Sequence, residues 1–347
     1  MIESVATFQN ADAAGEGTSI GHDWQRDLAR AVRSSAELLR RLGLSESQFA
    51  GLLADVQTRS FPVLVPESFL ARMQPGNPAD PLLLQVLPRS EEQAQVDGFL
   101  SDAVGDLNAR RAPGILQKYH GRVLLIAASA CAVHCRYCFR REYPYSDEPR
   151  RLEDWDESLK TIADDSSVRE VILSGGDPLI LNDQRLEHLC RRLEAIPHID
   201  RIRIHTRLPI VLPSRITDAL LSLLTGLRPQ VLVVVHANHA AEIQLDCRSS
   251  LQRLVQAGLP VLNQAVLLRG INDCVNSLED LSTALMNIGV IPYYLHQLDR
   301  VSGTAHFEVP TSTGLSLVSE LQARLPGYAV PRYVQEFPGA TGKTPVA

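Results

Sequence analysis

Three cysteines in the middle of the chain have the spacing of a ligand set for a soft metal centre. Cys131, Cys135 and Cys138 form the pattern C-x3-C-x2-C, and the next cysteine along the chain is Cys190. Thiolates favour soft metals, and a [4Fe–4S] cluster normally takes four of them. Because no fourth cysteine lies nearby, one iron of such a cluster would lack a protein ligand and could bind a small molecule.

The same cysteines could instead form a zinc site, or they could be three incidental buried thiols. Zinc sites favour C-x2-C pairs and a complete set of four ligands. His134 could be the fourth ligand, although its position between the cysteines would strain the loop. The place of the motif between a strand and a helix favours the cluster over both alternatives.

A second candidate lies near the end of the chain, where Lys343 stands in a segment with several glycines and prolines. A lysine in such a loop could hold pyridoxal phosphate covalently. Taken alone the signal is weak, because a solvated lysine on a frayed segment is the commoner situation. The sequence Gly-Lys-Thr is not a P-loop here, since the upstream glycine spacing does not match.

Strands and helices alternate from about residue 119 onward, and these elements must position both candidates. Short apolar runs predict strands over residues 122–127, 170–174, 201–206, 231–237, 260–268 and 291–295. Helical patterns begin near residues 153, 183, 214, 240, 277 and 313. This alternation predicts an α/β fold with a parallel sheet covered on both faces. Periodicity alone leaves an open doubly wound sheet and a closed or partial barrel as alternatives.

The N-terminal part, up to about residue 118, lacks this alternation of strand and helix patterns. Residues 1–20 are small and polar, which predicts a loosely ordered N-terminus. Apolar residues recur at helical spacing between residues 24 and 56, and prolines interrupt residues 57–118. We therefore expect a helical N-terminal extension over residues 21–115. The barrel or sheet would occupy residues 116–347, with the cysteines on the loop after its first strand, where α/β proteins bind ligands.

Composition narrows the class of protein. The 347 residues are 45% hydrophobic and 21% charged, which is typical of a globular chain, and the net charge is −6. The negative charge argues against direct nucleic-acid binding, and no apolar run approaches the length of a membrane span. The N-terminus has no basic or apolar region of a signal peptide, so we expect a cytoplasmic protein. Cys190, Cys247 and Cys274 receive no role.

Further motifs accompany the cysteines and the lysine: Lys118-Tyr119-His-Gly-Arg122, Cys138-Phe-Arg140-Arg141, Ser174-Gly-Gly-Asp177-Pro178, His236-Ala-Asn238-His239, Asn263-Gln264, Tyr293-Tyr-Leu-His-Gln-Leu-Asp299 and Gly342-Lys343-Thr-Pro345. In combination they resemble the lysine 2,3-aminomutase family of the radical S-adenosylmethionine superfamily, over residues 62–347. Pro75-Gly-Asn-Pro78 and Ala305-His306-Phe307 are similar to the bacterial branch that makes (R)-β-lysine for modifying elongation factor P.

The resemblance implies a partial (β/α)6 barrel of the radical S-adenosylmethionine type and three cofactors. A [4Fe–4S] cluster would be held by Cys131, Cys135 and Cys138, and pyridoxal 5′-phosphate by Lys343. The matching motifs place S-adenosyl-L-methionine along Ser174, Gly175, Gly176, Asp177, His236 and Gln264, and the phosphate of the pyridoxal cofactor near Tyr119 and Arg122.

The resemblance also implies a lysine substrate. Arg140 matches the family position that pairs with the substrate α-carboxylate, although Arg141 beside it could be mistaken for it. Asp299 and Glu336 would receive the ε-ammonium group. Stand-alone lysine 2,3-aminomutases use two aspartates here, whereas Glu336 has a longer side chain and keeps the charge.

The implied enzyme is an isomerase that converts L-α-lysine to (R)-β-lysine. It would need an electron donor, and it would be linked functionally to elongation factor P and its lysyl ligase. One alternative is a free-standing 2,3-aminomutase acting on lysine or arginine; two acids at the far end of the pocket argue against glutamate. The other alternative is an iron–sulfur or zinc binding module without catalysis.

Overall fold

Ten strands form a single sheet in which the order across the sheet is the order along the chain. The structure is a computed structural model that describes residues 24–49 and 61–347. The prediction for residues 1–20, and part of the predicted N-terminal helices, lie outside the described residues. The strands are β1 (Arg110–Ala112), β2 (Ile115–Tyr119), β3 (Arg122–Ala128), β4 (Glu170–Gly175), β5 (Arg201–Thr206), β6 (Gln230–His236), β7 (Val261–Val266), β8 (Ile291–His296), β9 (Arg332–Gln335) and β10 (Thr344–Pro345).

Strands β3 to β9 run parallel, and antiparallel strands flank them. At one edge β1 and β2 form a hairpin that pairs with β3, and at the other edge β10 pairs with β9. Among the described residues no pairing joins β1 to β10, so the barrel is partial. The predicted α/β partial barrel is confirmed, and strands β3 to β8 are those that the apolar runs predicted.

The four strands outside β3 to β8, namely β1, β2, β9 and β10, were not predicted. They have between two and five residues each, and none contains a continuous apolar run. Such short strands form because a neighbouring strand offers a ladder of hydrogen bonds, which is a property of the sheet and not of the segment. The hairpin begins at Arg110, within the segment that the sequence assigned to the N-terminal extension. That domain boundary stays a prediction.

Helices cover the parallel strands on the outside, and their buried faces repeat at helical spacing. The helices are α1 (Trp24–Ala29), α2 (Ser35–Arg41), α3 (Glu67–Leu70), α4 (Asp156–Ala163), α5 (Asp183–Glu194), α6 (Leu208–Val211), α7 (Asp218–Thr225), α8 (Leu245–Gln256), α9 (Val275–Met286) and α10 (Thr311–Arg324). In α5 the buried residues are Leu186, Leu189, Cys190 and Leu193. The side chain of Asn182 accepts a hydrogen bond from the backbone N–H of Arg185 and so caps the start of α5. No helix within residues 24–49 and 61–347 is long and apolar enough to cross a membrane.

The N-terminal segment packs onto the barrel through short helices and turns. Arg72, which is buried, donates to the backbone carbonyls of Ile210 and Glu242. Ser68 Oγ donates to the carbonyl of Val211 at 2.7 Å. These bonds tie residues near position 70 to the loops that follow β5 and β6, which is the end of the barrel where the cysteine loop also lies.

A tight contact between α10 and β9 leads to a prediction about stability. Gly314 in α10 lies against the ring of Tyr333, and a Cβ atom there would sit inside contact distance of Tyr333 Oη. An alanine in a helix is normally more favourable than glycine by about 1 kcal/mol, but overpacking costs about 1–3 kcal/mol. We expect Gly314→Ala to lower the free energy of unfolding by about 1–2 kcal/mol in urea denaturation.

Gly327→Ala is the matched control, because nothing lies within 4 Å of a Cβ at that position. Its free energy of unfolding should stay within about 0.5 kcal/mol of the wild-type value. A Gly314→Ala protein as stable as the wild type would show that α10 is not held against Tyr333.

Candidate active site

One cavity of about 290 Å³ opens into the barrel, and every site residue predicted from the sequence lines it. The predicted residues are Tyr119, Arg122, Cys131, Cys135, Cys138, Arg140, Ser174, Gly175, Gly176, Asp177, His236, Gln264, Asp299, Glu336 and Lys343. They come from the hairpin, from the ends of the parallel strands and from the last described residues. Their proximity makes one combined site possible, while the individual roles stay predictions.

The three cysteines lie on the loop that follows β3, and each is a free thiol at the cavity wall. The N-terminal segment holds this loop from outside. The backbone N–H of His134 donates to the carbonyl of Leu64 at 3.1 Å, and that of Arg136 to the carbonyl of Gln85 at 2.8 Å. Three sulfur donors facing one open cavity fit a [4Fe–4S] cluster that leaves one iron accessible.

His134 does not face this cavity, which removes the fourth ligand of the zinc alternative. Its Nδ1 atom lies 2.7 Å from the carbonyl oxygen of Pro62, and its ring stacks on Phe61 with centroids 4.9 Å apart. Burial lowers the pKa of His134 to about 4, so the ring is neutral. In the described part of the chain, no three His, Cys, Asp or Glu side chains surround a position for a single metal ion.

A buried arginine that was not predicted from the sequence contacts one of the cysteines. Arg207 Nη1 donates to Cys135 Sγ at 2.6 Å, and its Nη2 donates to Glu242 Oε2 at 2.9 Å and to Gln85 Oε1 at 2.7 Å. Burial alone would raise the pKa of Glu242, but the charge of Arg207 together with hydrogen bonds from Asn238, Arg207 and Gln85 holds that pKa below its usual value. Arg207 therefore offers a compensating positive charge to a thiolate, and it is itself held by a carboxylate with no exposed surface.

The turn after β4 brings backbone against the start of the cysteine loop. The N–H of Gly176 donates to the carbonyl of Ala128, and the N–H of Asp177 to the carbonyl of Ala130, both at 2.8 Å. Gly175 has φ 115°, a left-handed conformation that favours glycine. This close approach leaves peptide groups along the cavity where a side chain would otherwise project.

Both oxygens of the Asp177 carboxylate accept hydrogen bonds from other residues of the protein. The carboxylate accepts from Thr206 Oγ1 at 2.7 Å and from the N–H groups of Arg207 and Leu179 at 2.6 and 3.0 Å. Burial raises its pKa to about 6. Asp177 thus joins the turn after β4 to the end of β5, and it borders the cavity without directing a free oxygen into it.

His236 and Gln264 stand at paired positions on β6 and β7 and face the same cavity. The ring of His236 stacks on Tyr137, with centroids 5.5 Å apart, and its Nε2 lies 3.1 Å from Tyr137 Oη. Burial, reinforced by Arg207, lowers the pKa of His236 to about 3. A neutral His236 beside a glutamine amide provides hydrogen-bonding groups without charge.

Charged residues of alternating sign line the other side of the cavity. Lys343 Nζ donates to Glu336 Oε2, and Lys118 Nζ donates to Glu336 Oε1 at 2.7 Å. Burial alone would raise the pKa of Glu336, but the two lysines lower it to about 2. Burial raises the pKa of Asp299 to about 7, with Lys343 opposing and Glu336 reinforcing the shift. Two carboxyl groups and a lysine amine thus share one end of the cavity.

The structure separates Arg140 from Arg141. Arg140 lines the cavity, where its Nε donates to Asp106 Oδ2 at 2.7 Å and its Nη1 donates to Ser174 Oγ at 3.2 Å. Arg141 points away, and donates to Glu92 Oε2 at 2.8 Å. Only Arg140 of this pair is placed to meet a ligand in the cavity.

Tyr119 and Arg122 form the wall nearest the hairpin. The Arg122 guanidinium lies 4.9 Å from the centroid of the Tyr119 ring, and neither Tyr119 Oη nor Arg122 Nε has a hydrogen-bond partner among the described residues. Burial raises the pKa of the Tyr119 hydroxyl. Two buried donors without acceptors suit an anion such as a phosphate.

Several more residues line the cavity but were not predicted from the sequence. For only some of them did the sequence contain a pattern that could have identified them. Arg203 and His205 alternate along β5 and line the cavity, and Arg207 follows directly after that strand. Their place on or just after a predicted parallel strand could have identified them. Asp106 lies in a loop of the N-terminal segment, and nothing in its neighbourhood in sequence marks it.

The sequence over residues 125–281 matches the Radical SAM superfamily. Similar proteins include the L-lysine 2,3-aminomutase of Escherichia coli (strain K12), which is 44% identical over 326 residues, or 93% of this chain and 94% of that protein. The L-lysine 2,3-aminomutase of Haemophilus influenzae is 42% identical over 93% of this chain and 95% of its own length. The L-lysine 2,3-aminomutase of Clostridium subterminale is 35% identical over 94% of this chain and 78% of its own length.

The glycine turn generates a prediction about the cysteine loop. A Cβ atom on Gly176 would collide with the carbonyl of Ala130, the residue before Cys131. We expect Gly176→Ala to displace the loop, to lower the free energy of unfolding by about 1–3 kcal/mol, and to reduce the iron retained after anaerobic reconstitution. Gly327→Ala again serves as the control. Wild-type iron content and stability in Gly176→Ala would contradict the close packing of turn and loop.

Proposed function

The chain belongs to the lysine 2,3-aminomutase family of the radical S-adenosylmethionine superfamily, and from this premise we propose that it converts L-α-lysine to (R)-β-lysine with the help of pyridoxal phosphate. Membership makes it an isomerase that uses a [4Fe–4S] cluster and S-adenosylmethionine. One observation carries the proposal: the cysteine loop and Lys343, about 200 residues apart in sequence, line the same cavity.

Cys131, Cys135 and Cys138 hold the cluster in this proposal, and Arg207 compensates the negative charge on Cys135. When bound and reduced, the cluster supplies the electron that cleaves S-adenosylmethionine and so starts the radical reaction. The backbone at Gly175 and Gly176 passes close to the ligand, because no Cβ stands in the way. The uncharged His236 and Gln264 orient its polar groups from the ends of β6 and β7.

Lys343 is the covalent anchor of pyridoxal phosphate in this proposal, and Tyr119 and Arg122 donate hydrogen bonds to the phosphate. The two unpartnered buried donors at these positions support that assignment. When bound, pyridoxal phosphate supplies a conjugated ring that stabilises an unpaired electron while the amino group moves between carbons. Apolar side chains of the cavity wall, including Leu124 and Val266, exclude water from that space.

The charges that line the cavity are complementary to those of lysine, which has an α-carboxylate at one end and an ε-ammonium group at the other. Arg140 binds the α-carboxylate, since its guanidinium is held in place at the cavity wall. Asp299 and Glu336 would receive the ε-ammonium group, which would take the place beside Glu336 that the Lys343 ammonium holds in this structure. Two acids at this position disfavour glutamate as substrate. The convergence of the cysteines, Arg140 and Lys343 on one cavity, together with family membership, disfavours a non-catalytic module.

We assign the product to the modification of elongation factor P in the cytoplasm, with a separate protein donating the electron. The support is the resemblance of Pro75-Gly-Asn-Pro78 and Ala305-His306-Phe307 to the branch that serves this modification. The similarity to the L-lysine 2,3-aminomutase of Escherichia coli, over 93% of this chain, supports the aminomutase activity that this assignment requires. A free-standing aminomutase remains the competing assignment, and transfer of the product to elongation factor P by its lysyl ligase would separate the two.

The direct test of the reaction uses anaerobically reconstituted protein with pyridoxal phosphate, S-adenosylmethionine, dithionite and L-lysine. We expect β-lysine in the mass spectrum from the wild-type protein and none from Lys343→Arg, which keeps the cation beside Glu336 but cannot anchor the cofactor in the same way. Lys160→Arg changes an exposed lysine on α4 and should leave the yield unchanged. Cleavage of S-adenosylmethionine without β-lysine would retain the radical chemistry and refute lysine as substrate.

The pKa of Asp299 predicts a pH dependence of substrate binding. A carboxyl group with a pKa of about 7 is largely protonated below that pH, and only its ionised form attracts an ammonium group. We expect the KM for L-lysine to rise by up to about tenfold for each pH unit below 7. Asp299→Asn should raise KM and remove the dependence, whereas Glu157→Gln, on the exposed face of α4, should preserve it. A KM that is flat with pH in the wild-type protein would contradict this role of Asp299.

A further inference from the structure

Asp106 is a buried carboxylate at the cavity wall that no motif singled out. It lies in the N-terminal segment just before β1, and its side chain is 2% exposed. Oδ2 accepts a hydrogen bond from Arg140 Nε at 2.7 Å, and Oδ1 lies 2.6 Å from Lys118 Nζ. The loop itself is braced by Asp102, whose Oδ1 accepts from the Asp106 N–H at 2.8 Å. A carboxylate from outside the parallel strands therefore reaches two cations of the site.

The contacts of Arg140 determine which edge of its guanidinium faces the cavity. Arg140 Nε donates a hydrogen bond to Asp106, and Arg140 Nη1 donates one to Ser174 Oγ. Nη2 makes no hydrogen bond with any residue in 24–49 or 61–347. The planar guanidinium can offer a carboxylate two parallel donors from only one edge at a time, so engaging Nε leaves the edge formed by Nη1 and Nη2.

Asp106 also belongs to a chain of ion pairs across the cavity wall. Lys118 bridges Asp106 and Glu336, and Glu336 in turn accepts from Lys343. The order of charges is Arg140, Asp106, Lys118, Glu336, Lys343, with each cation next to an anion. Without the charge of Asp106, Arg140 and Lys118 would be two buried cations with a neutral group between them, and both would reorient towards other anions.

Charge, and not only hydrogen bonding, is required at this position. Burial alone would raise the pKa of Asp106, but Arg140 and Lys118 hold the pKa below its usual value, so the group is ionised at neutral pH. An asparagine has nearly the same shape but only one oxygen acceptor, and it cannot balance two cations.

We infer that Asp106 is a positioning residue that sets the edge of Arg140 presented to the substrate carboxylate and, through Lys118, aligns that edge with Glu336 at the opposite end of the substrate. This inference rests on the proposed role of Arg140 in binding the carboxylate. In this inference Asp106 acts through its contacts with Arg140 and Lys118. Its effect is to fix the distance between the two groups that hold lysine by its ends, and hence the position of the reacting carbons between them.

The test compares Asp106→Asn and Asp106→Glu with wild-type holoenzyme, using Asp165→Asn as the control. Asp165 forms an ion pair of the same length, 2.6 Å, with Arg111 at the surface. We expect Asp106→Asn to lower kcat by about 10- to 100-fold with a smaller change in KM, because a misplaced substrate still binds but reacts slowly. The amount of 5′-deoxyadenosine formed per β-lysine should rise, because S-adenosylmethionine would be cleaved more often than product is formed. Asp106→Glu should recover part of kcat.

A double-mutant comparison separates positioning from general damage. In an Arg140→Lys background, Asp106→Asn should cause little further loss of kcat, because its target no longer has a guanidinium edge to orient. Equal losses in both backgrounds, or unchanged kcat and product ratio in Asp106→Asn, would overturn the inference. If Asp106→Asn does not retain iron and pyridoxal phosphate, Asp106→Glu must show the altered product ratio instead, and a wild-type ratio there would refute it.

The outcomes also distinguish this inference from the proposed function. A wild-type protein that forms no β-lysine refutes the proposed function and removes the substrate on which the inference depends. A wild-type protein that forms β-lysine, alongside an unaffected Asp106→Asn, leaves the proposed function intact and refutes the inference alone. Wild-type kcat in Arg140→Lys would refute the role of Arg140 and, with it, the route through which Asp106 acts.

Discussion

Cations buried in the barrel need anionic partners, and this constraint binds the N-terminal segment to the active site. Taking a guanidinium out of water is costly unless a carboxylate and hydrogen bonds replace the solvent. Glu92 accepts from Arg136 and Arg141, and Asp106 accepts from Arg140. The cations belong to the cysteine loop and the anions to the segment before β1. The two parts of the chain therefore form one network of buried ion pairs.

A second network of the same kind surrounds Arg207, beside the cysteine loop. Arg207, after β5, contacts Cys135 and is held by Glu242 and by Gln85 of the N-terminal segment. Glu242 also accepts from the backbone N–H of Asn238 at 2.8 Å, which shapes the loop after β6. Arg207 thus places a positive charge beside one sulfur of the proposed cluster site. The cavity thus has one end rich in sulfur and arginine and another with acids and lysines.

The parallel sheet explains why these groups face one another. Side chains alternate along each strand, so every second residue of β4, β5 and β8 points into the barrel. Polar groups accumulate towards the carboxyl ends of these strands, and the apolar positions beneath them form the core. The antiparallel hairpin and β10 then add Tyr119 and bring Lys343 to the open side. A site for a large set of ligands results from a barrel that is not fully closed.

The sequence by itself determined the strands β3 to β8, the cysteine loop and the family, because apolar runs, helical periodicity and closely spaced cysteines are local patterns. The family resemblance favoured Arg140 over Arg141, and the tertiary structure shows what holds each of them. Tertiary structure alone decided that His134 packs away from the cavity and that Asp106 belongs to it. The partners of Arg140 and His134 lie 34 and 72 residues away in the chain, so no local pattern records them. The packing of the segments determines which charged groups are removed from water. Each of these groups must then pair with an opposite charge that is close in space, however distant it is in sequence.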